Sequence, residues 1–137
     1  FIMAQGFGVN IPLVVDATDG AYKLLDDVKD VVRQNLKMLV LTSPGERIQI
    51  PTFGVGIRRY LFENMTPLIQ IQIEQKIREQ VRAFMSYLTI DNIEVSTPTS
   101  DLGAPNDSLS SVLYIKIFYN VKSFRSFSDF LTLELTI

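Results

Sequence analysis

The chain has 137 residues, of which 47% are hydrophobic and 20% charged, and its net charge is -2. That balance fits one globular domain with its own core and argues against a disordered chain. A charge so near neutral gives no field to draw nucleic acid or anionic lipid. The absence of cysteine and histidine excludes disulfides, thiolate zinc sites, Cys nucleophiles and every mechanism that needs imidazole.

No apolar run approaches the roughly 20 residues that span a bilayer, so no membrane partner is expected. The opening FIMAQGFG lacks the basic region and apolar core of a secretory signal. Phe1 and Ile2 precede Met3 and are set aside. In the segment that follows, Asp19-Gly20 separates two apolar-rich stretches. Asp-Gly is a strong hairpin cue, because both central residues of the tight turn need positive φ. The reading is one domain over 1–137, with an N-terminal arm or hairpin over about residues 1–25.

Asp26 to Leu41 reads as a helix. Leu25, Val28, Val32, Leu36 and Leu39 recur three or four apart and make one apolar stripe. Asp26 and Asp27 suit its positive amino end, and Pro44-Gly45 stops it. RIQIP follows as a short extended piece with Ile48 and Ile50 on one side; FGVG is a turn, and IRRYLFE makes one or two helical turns. Thr66-Pro67 starts a second helix that runs to about Met85, with a capping hydroxyl and then proline where its missing N–H costs nothing. Ile69, Ile73, Ile77, Val81 and Phe84 form its buried stripe, and Glu74 with Arg78 makes an i,i+4 pair on its polar face.

Beyond Met85 the period changes to two. LTIDNIEV reads as a strand, and STPTSDLGAPNDSLS as a long polar loop, mobile or used for contact. SVLYIKIFYNVK alternates with Leu113, Ile115, Ile117, Tyr119 and Val121 on one face. In DFLTLELTI, Leu131, Leu133, Leu135 and Ile137 align. The fold class is α+β: a small antiparallel sheet packed on one face by two main helices.

Few residues point to chemistry. Gly45, Gly54 and Gly56 with Arg58 and Arg59 lack the spacing and the lysine of a phosphate loop, so they are read as turn geometry around a buried Phe53. Glu46, Glu63, Asp91 and Glu94 could in principle act in hydrolysis without histidine, but nothing pairs them at a defined separation. They are read as caps, ion-pair partners or solvated residues. Pro44, Gly45, Glu46, Arg47, Phe53, Gly54, Gly56 and Arg58 together suggest a defined elbow, in which Glu46 and Arg47 fasten the end of the first helix. No cofactor or metal is implied. The last strand, Leu131, Thr132, Leu133, Glu134, Leu135, Thr136 and Ile137, lies either inside the sheet or at an edge open to another chain.

The run NLKMLVLTSPGERIQIPTFGVGIRRYLFE resembles the baseplate-wedge, or sheath-initiator, family of contractile phage tails and related injection systems. The resemblance rests on Leu39 to Thr42, Pro44 to Arg47 and Pro51 to Gly54, and covers about Asn35 to Val95, the final strands more loosely. Many members place Glu-Pro-Arg where the long helix meets the next strand. Here Met85, Ser86 and Tyr87 stand there, a degenerate docking motif in which Tyr87 could supply an aromatic contact. The resemblance implies a non-enzymatic structural component of the inner baseplate of a contractile phage tail. It would join wedge subunits and start sheath polymerisation by strand addition. The implied partners are other baseplate wedge proteins, the tail sheath protein, and tail tube or hub proteins. The implied location is the virion tail baseplate, with the host cytoplasm during assembly. A type VI or extracellular contractile injection system is the alternative setting, and a lysozyme-like tail hydrolase the alternative activity. On this reading proline at Leu133 should abolish sheath nucleation by removing a ladder donor.

Overall fold

The computed structural model describes residues 8–9, 11, 24–25, 27–63, 66–97, 112–122 and 127–136. The chain divides into two compact units, Phe1–Leu36 and Lys37–Ile137.

In the first unit, β1 (Gly8–Val9) pairs antiparallel with β2 (Leu24–Leu25). Asp19-Gly20, expected to turn between them, lies outside the described residues. The helix α1 spans Val28–Leu41 and bridges the two units in sequence. It starts two residues later than expected, because Asp27 acts as its cap: the Lys29 N–H donates to Asp27 Oδ1 at 3.0 Å. Val28 in this first turn is therefore exposed, not part of the buried stripe, whereas Val32, Leu36, Leu39 and Val40 are buried.

The second unit holds a 3-10 helix (Ile57–Phe62), α2 (Pro67–Phe84) and a three-stranded antiparallel sheet. Thr66 caps α2 by accepting the Ile69 N–H at 3.4 Å, and Pro67 follows at its first position. Ile73, Ile77 and Val81 are buried; Ile69 and Phe84, at the ends of the stripe, are half-buried. The strands are β3 (Leu88–Ser96), β4 (Val112–Val121) and β5 (Phe127–Thr136), in the order β3-β4-β5. The molecule is α+β. Leu113, Ile115, Ile117, Tyr119 and Val121 of β4 are buried with Leu131, Leu133 and Leu135 of β5, as period-two alternation requires. α2 lies against β3, and the 3-10 helix lies against both α2 and β5. The other face of the sheet carries Tyr114, Lys116, Phe118 and Phe130, with the Lys116 Nζ 4.9 Å and 5.0 Å from the two phenyl centroids.

RIQIP is not an extended strand. It is a loop drawn closed by the Gly45 N–H donating to Pro51 O at 2.8 Å, and it leaves Ile48 97% exposed. Ile50, two residues on, is 42% exposed, so the alternation does not make one buried face.

Candidate functional site

The elbow is built from backbone hydrogen bonds. The carbonyls at the end of α1 are taken by the chain returning past them: the Val55 N–H donates to Leu39 O at 3.1 Å and the Gly56 N–H to Thr42 O at 2.9 Å. Such bonds satisfy the acceptors that a helix end leaves free. Thr42 is itself buried and gives its hydroxyl to Met38 O at 2.6 Å. Gly54 (φ 114°) and Gly56 (φ 67°) adopt left-handed backbone that lets the chain pass this close.

Glu46 and Arg47 go to different partners. Glu46 Oε2 accepts the Ser43 N–H at 3.1 Å, just beyond the helix end. The Arg47 guanidinium stacks 4.0 Å above the Phe53 ring, whose edge meets Phe84 at 5.0 Å between centroids. Phe53 is half-buried between Arg47 and the last residue of α2. Sequence reasoning missed Gln80. It is 4% exposed on the apolar side of α2, and its Oε1 accepts the Gly54 N–H at 2.9 Å. A polar residue interrupting the Ile73–Ile77–Val81 stripe was the available signal. Pro44, Gly45 and Arg58 are exposed, and Arg58 sits on the 3-10 helix beside β5 rather than at the helix junction.

Of the three residues read in sequence as a degenerate docking motif, Met85 is buried and closes α2 through its N–H to Val81 O at 2.8 Å. Only Ser86 and Tyr87 present side chains at the surface.

β5 stands at one edge of the sheet and β3 at the other. The direction of each ladder group follows from one bond: the Lys122 N–H donates to Tyr87 O at 3.0 Å, extending the β3–β4 ladder. Even-numbered residues of β4 therefore turn their polar backbone towards β3 and odd-numbered ones towards β5. With Leu133 opposite Ile115 and Leu131 opposite Ile117, odd-numbered residues of β5 face inward, and the N–H and C=O of Ser128, Phe130, Thr132, Glu134 and Thr136 face outward. Leu133 thus donates to β4, and a proline there would break the internal ladder, not the free edge. Ile137 lies outside the described residues.

The β3 edge differs. Its register shifts between Ile90 and Asn92, where Asp91 is the extra residue of a bulge. Two of its outward carbonyls are capped by α2: the Arg78 Nη1 donates to Ile90 O at 3.1 Å and the Gln70 Nε2 to Val95 O at 3.5 Å. Arg78 is held for this by Glu74, 2.9 Å away, which fulfils the expected i,i+4 pair.

The four carboxylates considered for hydrolysis are all exposed: Glu46 lies in the elbow loop, Glu63 follows the 3-10 helix, and Asp91 and Glu94 both lie on β3. Among the described residues no group of three or more acidic side chains could hold a metal ion, and no helix is long and apolar enough to cross a membrane.

Comparison with curated proteins found no match. Solved structures with the same fold include a chain of the anti-feeding prophage baseplate (22% identity, 84% of each chain covered, TM-score 0.64). A tail lysozyme-like protein from Geobacter sulfurreducens follows (21% identity, 82% of this chain and 96% of that one, TM-score 0.61). A chain of the type VI secretion system baseplate complex is a third (15% identity, 78% and 91% covered, TM-score 0.56). Residues 26–125, which carry the helix, the elbow and most of the sheet, match the family model for baseplate wedge protein gp25, and the chain belongs to that family.

Proposed function

We propose that this chain is a non-enzymatic structural protein of the inner baseplate of a contractile phage tail or a related injection system. It joins neighbouring wedge subunits and starts sheath polymerisation by accepting a strand at β5. The observation that carries this reading is the difference between the two sheet edges. β3 is closed by a bulge and by Arg78 and Gln70, whereas β5 turns a row of outward N–H and C=O groups to solvent. Unpaired edges are a hazard that folds ordinarily cover, so an edge left open beside one that is guarded is an edge with a partner.

The elbow supports the same role. It ties the end of α1 to the last turn of α2 through Gly54, Gln80, Phe53 and Phe84. Wedge neighbours would meet the surfaces around Ser86, Tyr87 and the exposed Ile48 loop, while the sheath subunit adds to β5. Contact with tube or hub proteins, and assembly in the host cytoplasm, belong to the same proposal. The hydrolase alternative has only the Geobacter neighbour behind it, at an identity that carries fold alone.

Glu134→Pro tests it. Glu134 is exposed and its N–H faces outward, so proline there deletes one edge donor while sparing the β4–β5 ladder. Particles assembled with this variant should lack sheaths by electron microscopy. A folded Glu134→Pro protein that yields normally sheathed particles would overturn the proposal.

A further inference from the structure

Not all of the β5 edge is equally open. At its N-terminal half, Asp129 Oδ1 accepts the Phe130 N–H at 2.8 Å, so this outward donor is already occupied. The same carboxylate is held in place by the Tyr119 hydroxyl, which donates to Asp129 Oδ2 at 3.3 Å. A strand extending over Phe130 would have to displace that side chain. Further along, no side chain is bonded to the backbone of Thr132, Glu134 or Thr136 among the described hydrogen bonds.

The C-terminal half has a second feature. A groove runs between β5 and the 3-10 helix, lined by Arg58, Leu61, Phe62, Glu134, Leu135 and Thr136. Phe62 is 78% exposed at its rim. Arg58 and its neighbour Arg59 are exposed, and neither enters an ion pair among the described residues. The Glu134 carboxylate, on the solvent face of the sheet, accepts from the Tyr114 hydroxyl at 3.4 Å. The groove thus offers apolar surface and an uncommitted guanidinium beside the stretch of edge that is unblocked.

We propose that β5 accepts its partner strand only along Thr132–Thr136, and that this strand is a segment of another protein carrying a carboxylate two residues from an apolar side chain, the carboxylate seated on Arg58 and the apolar group in the groove against Leu61 and Phe62. The argument rests on the reading of β5 as a strand-accepting edge, and adds its register and the chemistry of its occupant. Side chains two apart share one face of a strand, so both groups would point to the 3-10 helix at once. Arginine suits the carboxylate because its planar fork binds both oxygens. Asp129 acts as a stop that fixes the register, which a sheet edge alone leaves free to slip.

The test uses two blocked eight-residue peptides of alternating Thr and Val, one with a single Asp and one with a single Lys replacing a central Val. Each is titrated into the full chain at millimolar concentration, and backbone amide exchange is read by NMR. The Asp peptide should protect the amides of Thr132, Glu134 and Thr136, and do so at about two- to fivefold lower concentration than the Lys peptide, the range of an exposed ion pair. Arg58→Ala should erase that preference, and Asp129→Ala should extend protection to Phe130. Protection without charge preference, or reaching Phe130 and Ser128 in the unaltered chain, overturns this inference and leaves the edge reading standing. Protection of no β5 amide by either peptide overturns both. Concentration-dependent protection without peptide would make the occupant a second copy of the chain, and overturns the acidic partner.

Discussion

Gly54 is where the elbow is least forgiving. Its φ is 114°, and a Cβ there would overlap the carbonyl of Thr42, whose oxygen is bound by Gly56. Gly45, at φ 92°, has nothing within 4 Å of the place a Cβ would take, so alanine there meets backbone strain alone. Gly54→Ala should therefore lower stability by at least about 2 kcal/mol and Gly45→Ala by about 1 kcal/mol, read as urea midpoints at unchanged slope. Equal midpoints would show that the chain does not pass Thr42 this closely. Gln80 makes the complementary test. Gln80→Leu leaves the buried Gly54 N–H without an acceptor and should cost about 1–3 kcal/mol, although leucine better matches the helix stripe. The glycines were legible in sequence as turn formers. Which of them the fold leans on was not, because that depends on a carbonyl brought close by tertiary structure. Arg47 likewise was legible as ordered, but its stacking on Phe53 in place of a bond to the helix end was not.

Among the elements, β4, β5 and α2 follow from the sequence because each carries an unbroken period: two alternating runs, and isoleucines four apart behind Thr66-Pro67; in β3 the alternation breaks at Asp91, where the bulge sits. The RIQIP run shows the limit of that logic. Two isoleucines two apart mark a strand only if a ladder receives them, and Ile48 and Ile50 lie in no strand. Alternation also assigns faces without assigning strand order, so the position of β5 at an edge had to come from the pairing itself. That pairing makes a specific forecast for the free protein. Amides of Leu131, Leu133 and Leu135 should exchange slowly, and those of Thr132, Glu134 and Thr136 close to the rate of an open chain, an alternation visible residue by residue in NMR exchange. Proline substitutions should split the same way. Leu133→Pro removes an internal ladder bond at a buried position and should cost about 3 kcal/mol or more, whereas Glu134→Pro should stay within about 1 kcal/mol of the unaltered chain. Thermal melts of the two variants decide it; a Glu134→Pro chain that fails to fold would place its N–H inside the sheet.

For the molecule as a whole, the number of open edges limits what the protein can build with itself. A sheet with one open edge can pair once, through a two-fold contact that closes on itself. A sheet with two can add copies without end. The β3 side is guarded by side chains from α2, so the guard can be removed without touching the sheet. In the double variant Gln70→Ala, Arg78→Ala, the carbonyls of Ile90 and Val95 lose their caps, and the Glu74 pair goes with them. Surface pairs of this kind contribute little to folding, so the variant should remain folded, with a loss near about 1 kcal/mol. Its association should change far more. In sedimentation velocity across a wide range of concentration, the unaltered chain should show nothing larger than a dimer, while the double variant should show a continuous distribution of larger species. Adding Glu134→Pro to the double variant should cut that distribution back to dimers, since one edge would again be disabled. If the double variant stops at dimer, the bulge at Asp91 is sufficient to close β3, and the caps from α2 serve only to hold the helix against the sheet.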